Sequence, residues 1–222
     1  MKKYLVIGNP IGHSFSPLIH NYWMKKYRLV NSVYEKRKVE EKDLKNIVNE
    51  IRNNEIAGIN VTVPFKKLII PFLDELDDFA KKTQSVNTLY RDKNKIIGSN
   101  TDGIGFEDTI HKLYPMNDAM IDSLEGKYIF VLGAGGVTSS ILDTLTGLGG
   151  KIILSNRTKE KAEELKKLFP EIEVIEWGKR PLMCDIVINT TSIGLMKDER
   201  INIDFSDYNK NKLFYDLIYN PK

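Results

Sequence analysis

The stretch Lys127-Tyr128-Ile129-Phe130-Val131-Leu132-Gly133-Ala134-Gly135-Gly136-Val137 decides the fold. An apolar run with strand composition ends in a glycine-rich turn, and a helical pattern over 137–148 begins at once. Such a turn lets the backbone approach a pyrophosphate, which the free N–H groups of a helix N-terminus attract. Gly133, Ala134, Gly135, Gly136 and Val137 are therefore candidate cofactor contacts. The third glycine of the usual fingerprint would fall at position 138, which is Thr138, so the pattern is degenerate. The bland alternative is a tight strand-to-helix connection.

Downstream of this turn, apolar runs at 151–155, 172–175, 184–189 and 213–217 read as strands, and 159–169 reads as a helix. At the end of the second strand, a chain that binds NAD places Asp or Glu on the ribose 2′-hydroxyl. Here the residues are Ser155-Asn156-Arg157-Thr158. With no carboxylate to repel it, a 2′-phosphate fits the Arg157 guanidinium, the Thr158 hydroxyl and Lys161, which points to NADP. The same four residues also fit a plain turn with a helix N-cap.

Upstream, short apolar runs at 4–7, 33–39 and 58–63 and a hairpin over 88–98 alternate with helical patterns at 16–27 and 41–53. Leu44, Ile47, Val48 and Ile51 fall on one face of the second helix. Residues 65–82 read as more helix, broken at Pro71, and 114–125 as a boundary region. Alternating strands and helices predict an α/β fold with a largely parallel sheet. We divide it into an N-terminal α/β substrate domain, 1–103, and a C-terminal Rossmann-type dinucleotide-binding domain, 104–222. Ligands are expected in the cleft between domains and beyond the carboxyl ends of the strands.

Two segments of the first half carry chemistry. Gly58-Ile59-Asn60-Val61-Thr62-Val63-Pro64-Phe65-Lys66 and Gly98-Ser99-Asn100-Thr101-Asp102-Gly103 set one lysine and one aspartate among small hydrogen-bonding side chains. That composition suits a small polyhydroxylated molecule. Lys66 can meet a developing alkoxide with charge and a proton, and Asp102, read as part of a turn, can position the ammonium. A lysine after Pro-Phe is also commonly a solvated residue. Gly8-Asn9-Pro10-Ile11-Gly12-His13-Ser14-Phe15-Ser16-Pro17 puts two hydroxyls at the mouth of a helix, where a carboxylate would find N–H groups and the favourable dipole end. Ser16 as a simple N-cap is the competing reading. His13, His20 and His111 lack metal-ligand spacing, so no metal is expected.

Composition narrows the rest. The 222 residues are 41% hydrophobic, enough to bury real cores, and a formal charge of +3 is too small to indicate nucleic-acid binding. The single cysteine, Cys184, fits a reducing compartment, and no run approaches the roughly 18 apolar residues of a membrane span. A cytoplasmic location is expected, with no membrane partner.

Together, GNPIGHSFSPLIHN, GINVTVPFK, SVNTL, GSNTDGIGF, GAGG, NRT, DIVINTTSIGL and FYDLIYNP make the chain resemble the shikimate dehydrogenase family over nearly its whole length. The resemblance implies NADPH-dependent reduction of 3-dehydroshikimate to shikimate in aromatic amino acid biosynthesis, with Lys66 and Asp102 as the catalytic pair. It implies Ser14 and Ser16 on the substrate carboxylate, and Thr62, Asn87, Asp102 and Tyr219 on its hydroxyls, with Asn60 nearby. Asn156, Arg157, Thr158 and Lys161 match the NADP-phosphate segment. Thr190, Ser192 and Leu217 match the nicotinamide end, and Asp78 matches a carboxylate on the cofactor side in some members. Leu195, where many members have methionine, and the bulky Val137-Thr138-Ser139-Ser140 depart from the pattern. The family continues beyond Tyr219-Asn220-Pro221 with a helix bearing a substrate-binding glutamine that this sequence does not contain. The expectation is a loss of about 1–3 kcal/mol of substrate binding and exposed apolar surface, which a homodimer would cover. The alternatives are a quinate/shikimate or aminoshikimate dehydrogenase and a catalytically silent module that binds shikimate-like ligands or nucleotide.

Overall fold

The computed structural model describes residues 1–114, 124–196, 198–208 and 212–219. Most of the 114–125 boundary region therefore lies outside the described residues. The chain divides into two compact units, Met1–Thr101 and Asp102–Lys222, both of α/β construction.

The first unit contains β1 (Lys2–Gly8), α1 (Ser16–Lys26), β2 (Ser32–Lys38), α2 (Leu44–Arg52), β3 (Gly58–Val61), β4 (Glu75–Leu76), α3 (Asp78–Thr83), β5 (Thr88–Asp92) and β6 (Lys95–Ser99). Its sheet has the order β2-β1-β3-β5-β6-β4, and β5 alone runs against the other strands. Because β1 sits between β2 and β3, the chain leaves it toward one edge and later returns to the other side. This is a topological switch point, and it lies at the carboxyl ends of β1 and β3.

Alternation along the strands divides their side chains between two faces. Leu5, Ile7, Ile59 and Val61 pack with Leu44, Ile47, Val48 and Ile51 of α2. Burial of each of these α2 side chains is worth about 1.5–3 kcal/mol relative to exposure, which holds a short helix against the sheet. Val6, Tyr34 and Ile11 form the opposite cluster, with Met24 of α1 against it. No residue of α1 is fully buried, so polar bonds do much of its anchoring. Asn21 Nδ2 donates to the carbonyls of Pro17 (2.7 Å) and Tyr34 (2.8 Å), and its Oδ1 accepts the Tyr34 N–H (3.0 Å).

Two sequence expectations require correction. The helix expected over 65–82 is reduced to a 3-10 turn at Ile70–Phe72, the short strand β4 and α3. Pro71 removes a donor, and two aspartates offer the backbone other bonds: Asp77 accepts the Ala80 N–H (2.7 Å) and Asp74 the Ile96 N–H (2.7 Å). Asp102, expected in a turn, is the first residue of helix α4 (Asp102–Leu113). Gly103 and Gly105 conceal this helix in the sequence. Tertiary packing overrides their propensity, as Phe106 and Ile110 are buried and the Phe106 ring meets Tyr215 edge-on at 5.3 Å.

The second unit continues with β7 (Tyr128–Leu132), α5 (Thr138–Gly147), β8 (Lys151–Ser155), α6 (Lys159–Leu168), β9 (Glu173–Ile175), β10 (Ile186–Asn189) and β11 (Leu213–Asp216). All five strands are parallel in the order β11-β10-β7-β8-β9, the Rossmann arrangement, with its switch point between β7 and β10. The central strands are apolar on both faces, as a covered parallel sheet requires. Ile129, Val131, Ile152, Leu154, Ile186 and Ile188 face α4, α5 and α6. Phe130, Leu132, Ile153 and Val187 face Trp177, Ile201, Phe205 and Tyr208. Among the described residues, no helix is long and apolar enough to cross a membrane.

Candidate functional site

In the first unit the loops after β1 and β3 are locked together. A Cβ on Gly8 would stand 2.6 Å from Thr62 Cγ2 and 3.1 Å from the Val63 carbonyl, so only glycine permits this approach. The Asn9 N–H donates to Val63 O (3.0 Å), and the Thr62 N–H donates to Ile7 O (2.9 Å). The first loop then carries Ser14 and Ser16 to the start of α1. Ser14 Oγ donates to Ser16 Oγ (3.2 Å) and accepts the Ser16 N–H (3.3 Å). Phe15 occupies the capping position without a side-chain bond, so Ser16 is not the N-cap. The first turn of α1 holds no acidic residue, and Lys25 and Lys26 sit in its last turn. Its N-terminus thus keeps the positive end of the dipole for an anion. Lys36 Nζ, donating to Gly12 O at 2.6 Å, adds a cation from β2 that sequence reading missed.

Beside these loops, amides and hydroxyls form one network. The Tyr34 hydroxyl donates to Asn60 Oδ1 at 2.6 Å. Asn60 Nδ2 donates to Asn87 O (3.2 Å) and Thr88 Oγ1 (3.0 Å), and Thr88 Oγ1 donates to Asn87 Oδ1 (2.9 Å). Asn87 Oδ1 also accepts the Thr101 N–H (3.0 Å), while Asn87 Nδ2 donates to Thr101 Oγ1 (3.0 Å). Lys66 is half-buried, and its carbonyl accepts the Val86 N–H at 2.8 Å, tying its turn to the segment that leads to Asn87. Asn60 and Asn87 thereby share one network, and Thr62 and Lys66 lie in the same unit. Asp102 and Tyr219 belong to the second. Asp78 lies exposed in the first turn of α3, 3.6 Å from Lys81.

His20 and His111 make structural contacts. The His20 ring stacks on Tyr34 at 4.2 Å and 3°, and burial lowers its pKa. Burial likewise pushes the Tyr34 phenol well above its ordinary value, keeping its proton in place. His111 pairs with Glu107 at 3.4 Å. No cluster of His, Cys, Asp and Glu suited to a metal occurs among the described residues.

In the second unit the glycine turn follows β7 at the switch point. Gly133 has φ +112°, and a Cβ there would stand 2.6 Å from Thr190 Oγ1 and 2.9 Å from Thr191 N. The loops after β7 and β10 therefore touch backbone to backbone. A Cβ on Gly135 would meet nothing within 4 Å, so the turn is open on the side a pyrophosphate would approach. Thr138 makes its own use of the position where the third glycine would fall. Its Oγ1 accepts the Gly135 N–H (3.0 Å) and bonds Thr190 Oγ1 (2.8 Å), which donates to Leu132 O (2.8 Å). Ser139 Oγ, in the first turn of α5, is buried without a hydrogen-bond partner among the described residues.

Asn156, after β8, ties this turn down: its Oδ1 accepts the Ala134 N–H (3.0 Å) and its Nδ2 donates to Thr158 O (2.7 Å). Thr158 sits at the N-cap position of α6, yet its hydroxyl makes no cap bond. Arg157, Thr158 and Lys161 are exposed, and no carboxylate stands at the end of β8. An open glycine turn, a helix N-terminus and a cationic, acid-free strand end fit a dinucleotide bearing a 2′-phosphate. Thr190 follows β10 and is buried, whereas Ser192 is exposed and Leu217 half-buried. Asn189 fixes their loop, with Oδ1 accepting from Thr191 N (3.0 Å) and Nδ2 donating to Asp216 Oδ1 (3.0 Å).

Sequence reading also gave no role to Tyr34, Thr88, Thr101 and Asn189, and marked Thr138 only as a break in the glycine pattern. The available signal was a polar residue at the end of an apolar run, as in Ile186-Val187-Ile188-Asn189, or a hydroxyl at the third-glycine position.

Comparison with known proteins agrees with this chemistry. The family model for the shikimate dehydrogenase substrate binding domain matches residues 6–89. A shikimate dehydrogenase (NADP(+)) of Pelagibacter ubique is 51% identical over 99% of this chain and 80% of its own. The crystal structure of shikimate dehydrogenase from Aquifex aeolicus superimposes with a TM-score of 0.88 at 36% identity, over 99% of this chain and 79% of that one. Another solved shikimate dehydrogenase, in complex with NADP+, gives a TM-score of 0.88 at 33% identity, over 100% of this chain and 78% of its own.

Proposed function

Because the chain belongs to the NADP-dependent shikimate dehydrogenase family, we propose that it reduces 3-dehydroshikimate to shikimate and runs the reverse oxidation when supplied with shikimate and NADP+. The observation that carries this reading is the presence of a switch point in each unit. One is lined by amides and hydroxyls, and the other has a glycine turn with a cationic, carboxylate-free strand end.

In this reading Ser14, Ser16 and the N-terminus of α1 hold the substrate carboxylate, where N–H groups and the dipole favour an anion. Asn60, Thr62, Asn87 and Tyr219 hold the ring hydroxyls. NADPH, when bound, supplies the hydride that reduces the carbonyl carbon. As charge grows on the carbonyl oxygen, the Lys66 ammonium stabilises it and donates one proton from Nζ, leaving a neutral amine that solvent reprotonates. Asp102 accepts hydrogen bonds from the reacting hydroxyl and the lysine and so orients both. Gly133, Ala134, Gly135, Gly136 and Val137 take the pyrophosphate. Asn156, Arg157, Thr158 and Lys161 take the 2′-phosphate, a group that NAD lacks. Thr190, Ser192 and Leu217 border the nicotinamide, with Asp78 a cofactor-side carboxylate. The first unit is then the substrate domain and the second the cofactor domain.

The assignment of Lys66 is tested by Lys66→Ala, assayed by steady-state kinetics and by NADPH fluorescence titration. We expect kcat to fall at least ~100-fold, the scale of lost general-acid catalysis, with NADPH affinity unchanged. A kcat close to that of the parent protein would remove Lys66 from the chemistry.

A further inference from the structure

The network around Asn60 has a fixed sense that begins at a residue with no assigned part in substrate recognition. Tyr34 lies on β2, two strands from β3, and only 4% of it is exposed. Its ring is clamped by the His20 stack on one side and by the Val6 and Ile11 cluster. A phenol can donate one hydrogen, and here it goes to Asn60 Oδ1 at 2.6 Å. With Oδ1 committed as an acceptor, the Asn60 amide must turn its NH2 toward Asn87 O and Thr88 Oγ1. Thr88 receives that hydrogen and points its own at Asn87 Oδ1 (2.9 Å), to which the Thr101 N–H also donates (3.0 Å). The accepting side of the Asn87 amide is thereby defined.

We propose that Tyr34 is a positioning residue for substrate recognition: through Asn60 and Thr88, and beside the Thr101 N–H, it holds the way round in which the Asn87 amide is presented to the hydroxyls of the substrate. This inference rests on the reading above that Asn60 and Asn87 contact the substrate. An amide flipped end for end keeps its shape but exchanges donor for acceptor, and a ring hydroxyl that meets the wrong end loses its bond. Removing the phenol oxygen leaves Asn60 Oδ1 without its donor, so the amide is held only through its Nδ2 bonds to Asn87 O and Thr88 Oγ1 and loosens. Thr88 is then held less firmly in its direction, and the Asn87 amide, left with the Thr101 N–H as its remaining fixed donor, turns to the flipped orientation more often. If the correct orientation falls to about a tenth of the population, the apparent Kd rises about tenfold.

The test uses full-length protein carrying Tyr34→Phe, Thr88→Val, Thr88→Ser or Asn87→Ala. Phenylalanine at 34 preserves the stack and the packing and removes only the hydroxyl, and Thr88→Val interrupts the relay at an independent point. Shikimate Kd is measured by calorimetry, the NADPH Kd by fluorescence, and KM and kcat by steady-state assay, with thermal melts alongside. The expected result is an increase of about tenfold in shikimate Kd and KM for Tyr34→Phe and Thr88→Val. The loss in kcat/KM is carried by KM, NADPH Kd is unchanged, and Thr88→Ser keeps the parental shikimate Kd. A purely structural role would lower the melting temperature without moving shikimate Kd relative to NADPH Kd. Folded Tyr34→Phe with parental shikimate Kd, beside an Asn87→Ala that binds shikimate weakly, overturns the inference and leaves the site reading standing. An Asn87→Ala that also binds shikimate normally overturns the site reading and the inference with it.

Discussion

Replacing Gly133 by alanine separates what the glycine turn does for the fold from what it does for a ligand. At φ +112° an alanine is strained by about 1–3 kcal/mol. Its Cβ would also sit 2.6 Å from Thr190 Oγ1 and 2.9 Å from Thr191 N. The second of these is backbone and cannot rotate away, so the loop after β10 must move at a further cost of about 1–3 kcal/mol. The sum, roughly 2–6 kcal/mol, is a large part of the 5–15 kcal/mol that holds a typical domain. The chain has two tryptophans, Trp23 in the first unit and Trp177 in the second, where Trp177 packs near Phe130 and Leu132. In a Trp23→Phe background, fluorescence during urea denaturation therefore reports the second unit alone. With a slope of about 1–3 kcal/mol/M, Gly133→Ala should lower the midpoint by about 0.7 M or more. Gly135→Ala is the control. Its Cβ meets nothing within 4 Å, so stability should change by less than about 0.5 kcal/mol while NADPH affinity falls because the approach to the turn is filled. A Gly133→Ala midpoint equal to that of the parent protein would refute the close contact between the two loops.

Arg157→Ala should weaken NADPH far more than NADH in fluorescence titrations if the guanidinium holds the 2′-phosphate as proposed; equal losses would sink the phosphate assignment. In the first unit, hydrogen bonds from Arg52 and then from the Ile96 N–H hold the Asp74 carboxyl below its ordinary value of 3.8. A depressed carboxylate contributes stability above its unfolded pKa and loses it as pH falls through the folded value. Asp74→Asn should therefore cost stability at pH 7, with the difference shrinking toward zero below about pH 4 in urea denaturations that resolve the first unit. A difference independent of pH would show that the ionised form carries no advantage.

What the sequence made legible was local. The glycine turn after β7, the four aliphatics on one face of α2 and the missing carboxylate after β8 each lie within one element and its flanks. What it hid depends on partners distant in the chain. The start of α4 reads as a turn because Gly103 and Gly105 argue against helix, and only Phe106 against Tyr215, more than a hundred residues away, reveals the opposite. The 65–82 segment has helical composition, but Asp77 caps a fresh helix start through the Ala80 N–H and Asp74 is drawn to the Ile96 N–H of β6, contacts that divide the segment. The Tyr34–Asn60 bond spans 26 residues and exists because β2 and β3 flank β1, a fact of sheet order with no local signature. Thr138 was visible as a broken glycine pattern. That its hydroxyl links the loops after β7 and β10 was not.

Specificity for shikimate and NADP is read from absorbance at the reduced-nicotinamide band with shikimate or quinate mixed with NADP+ or NAD+ in all four combinations. A strong signal is expected with shikimate and NADP+ and a weak one, at most, in the other three. A signal led by quinate or by NAD+ would contradict the site as assigned, and silence in all four from folded protein that binds NADPH would contradict the enzyme itself.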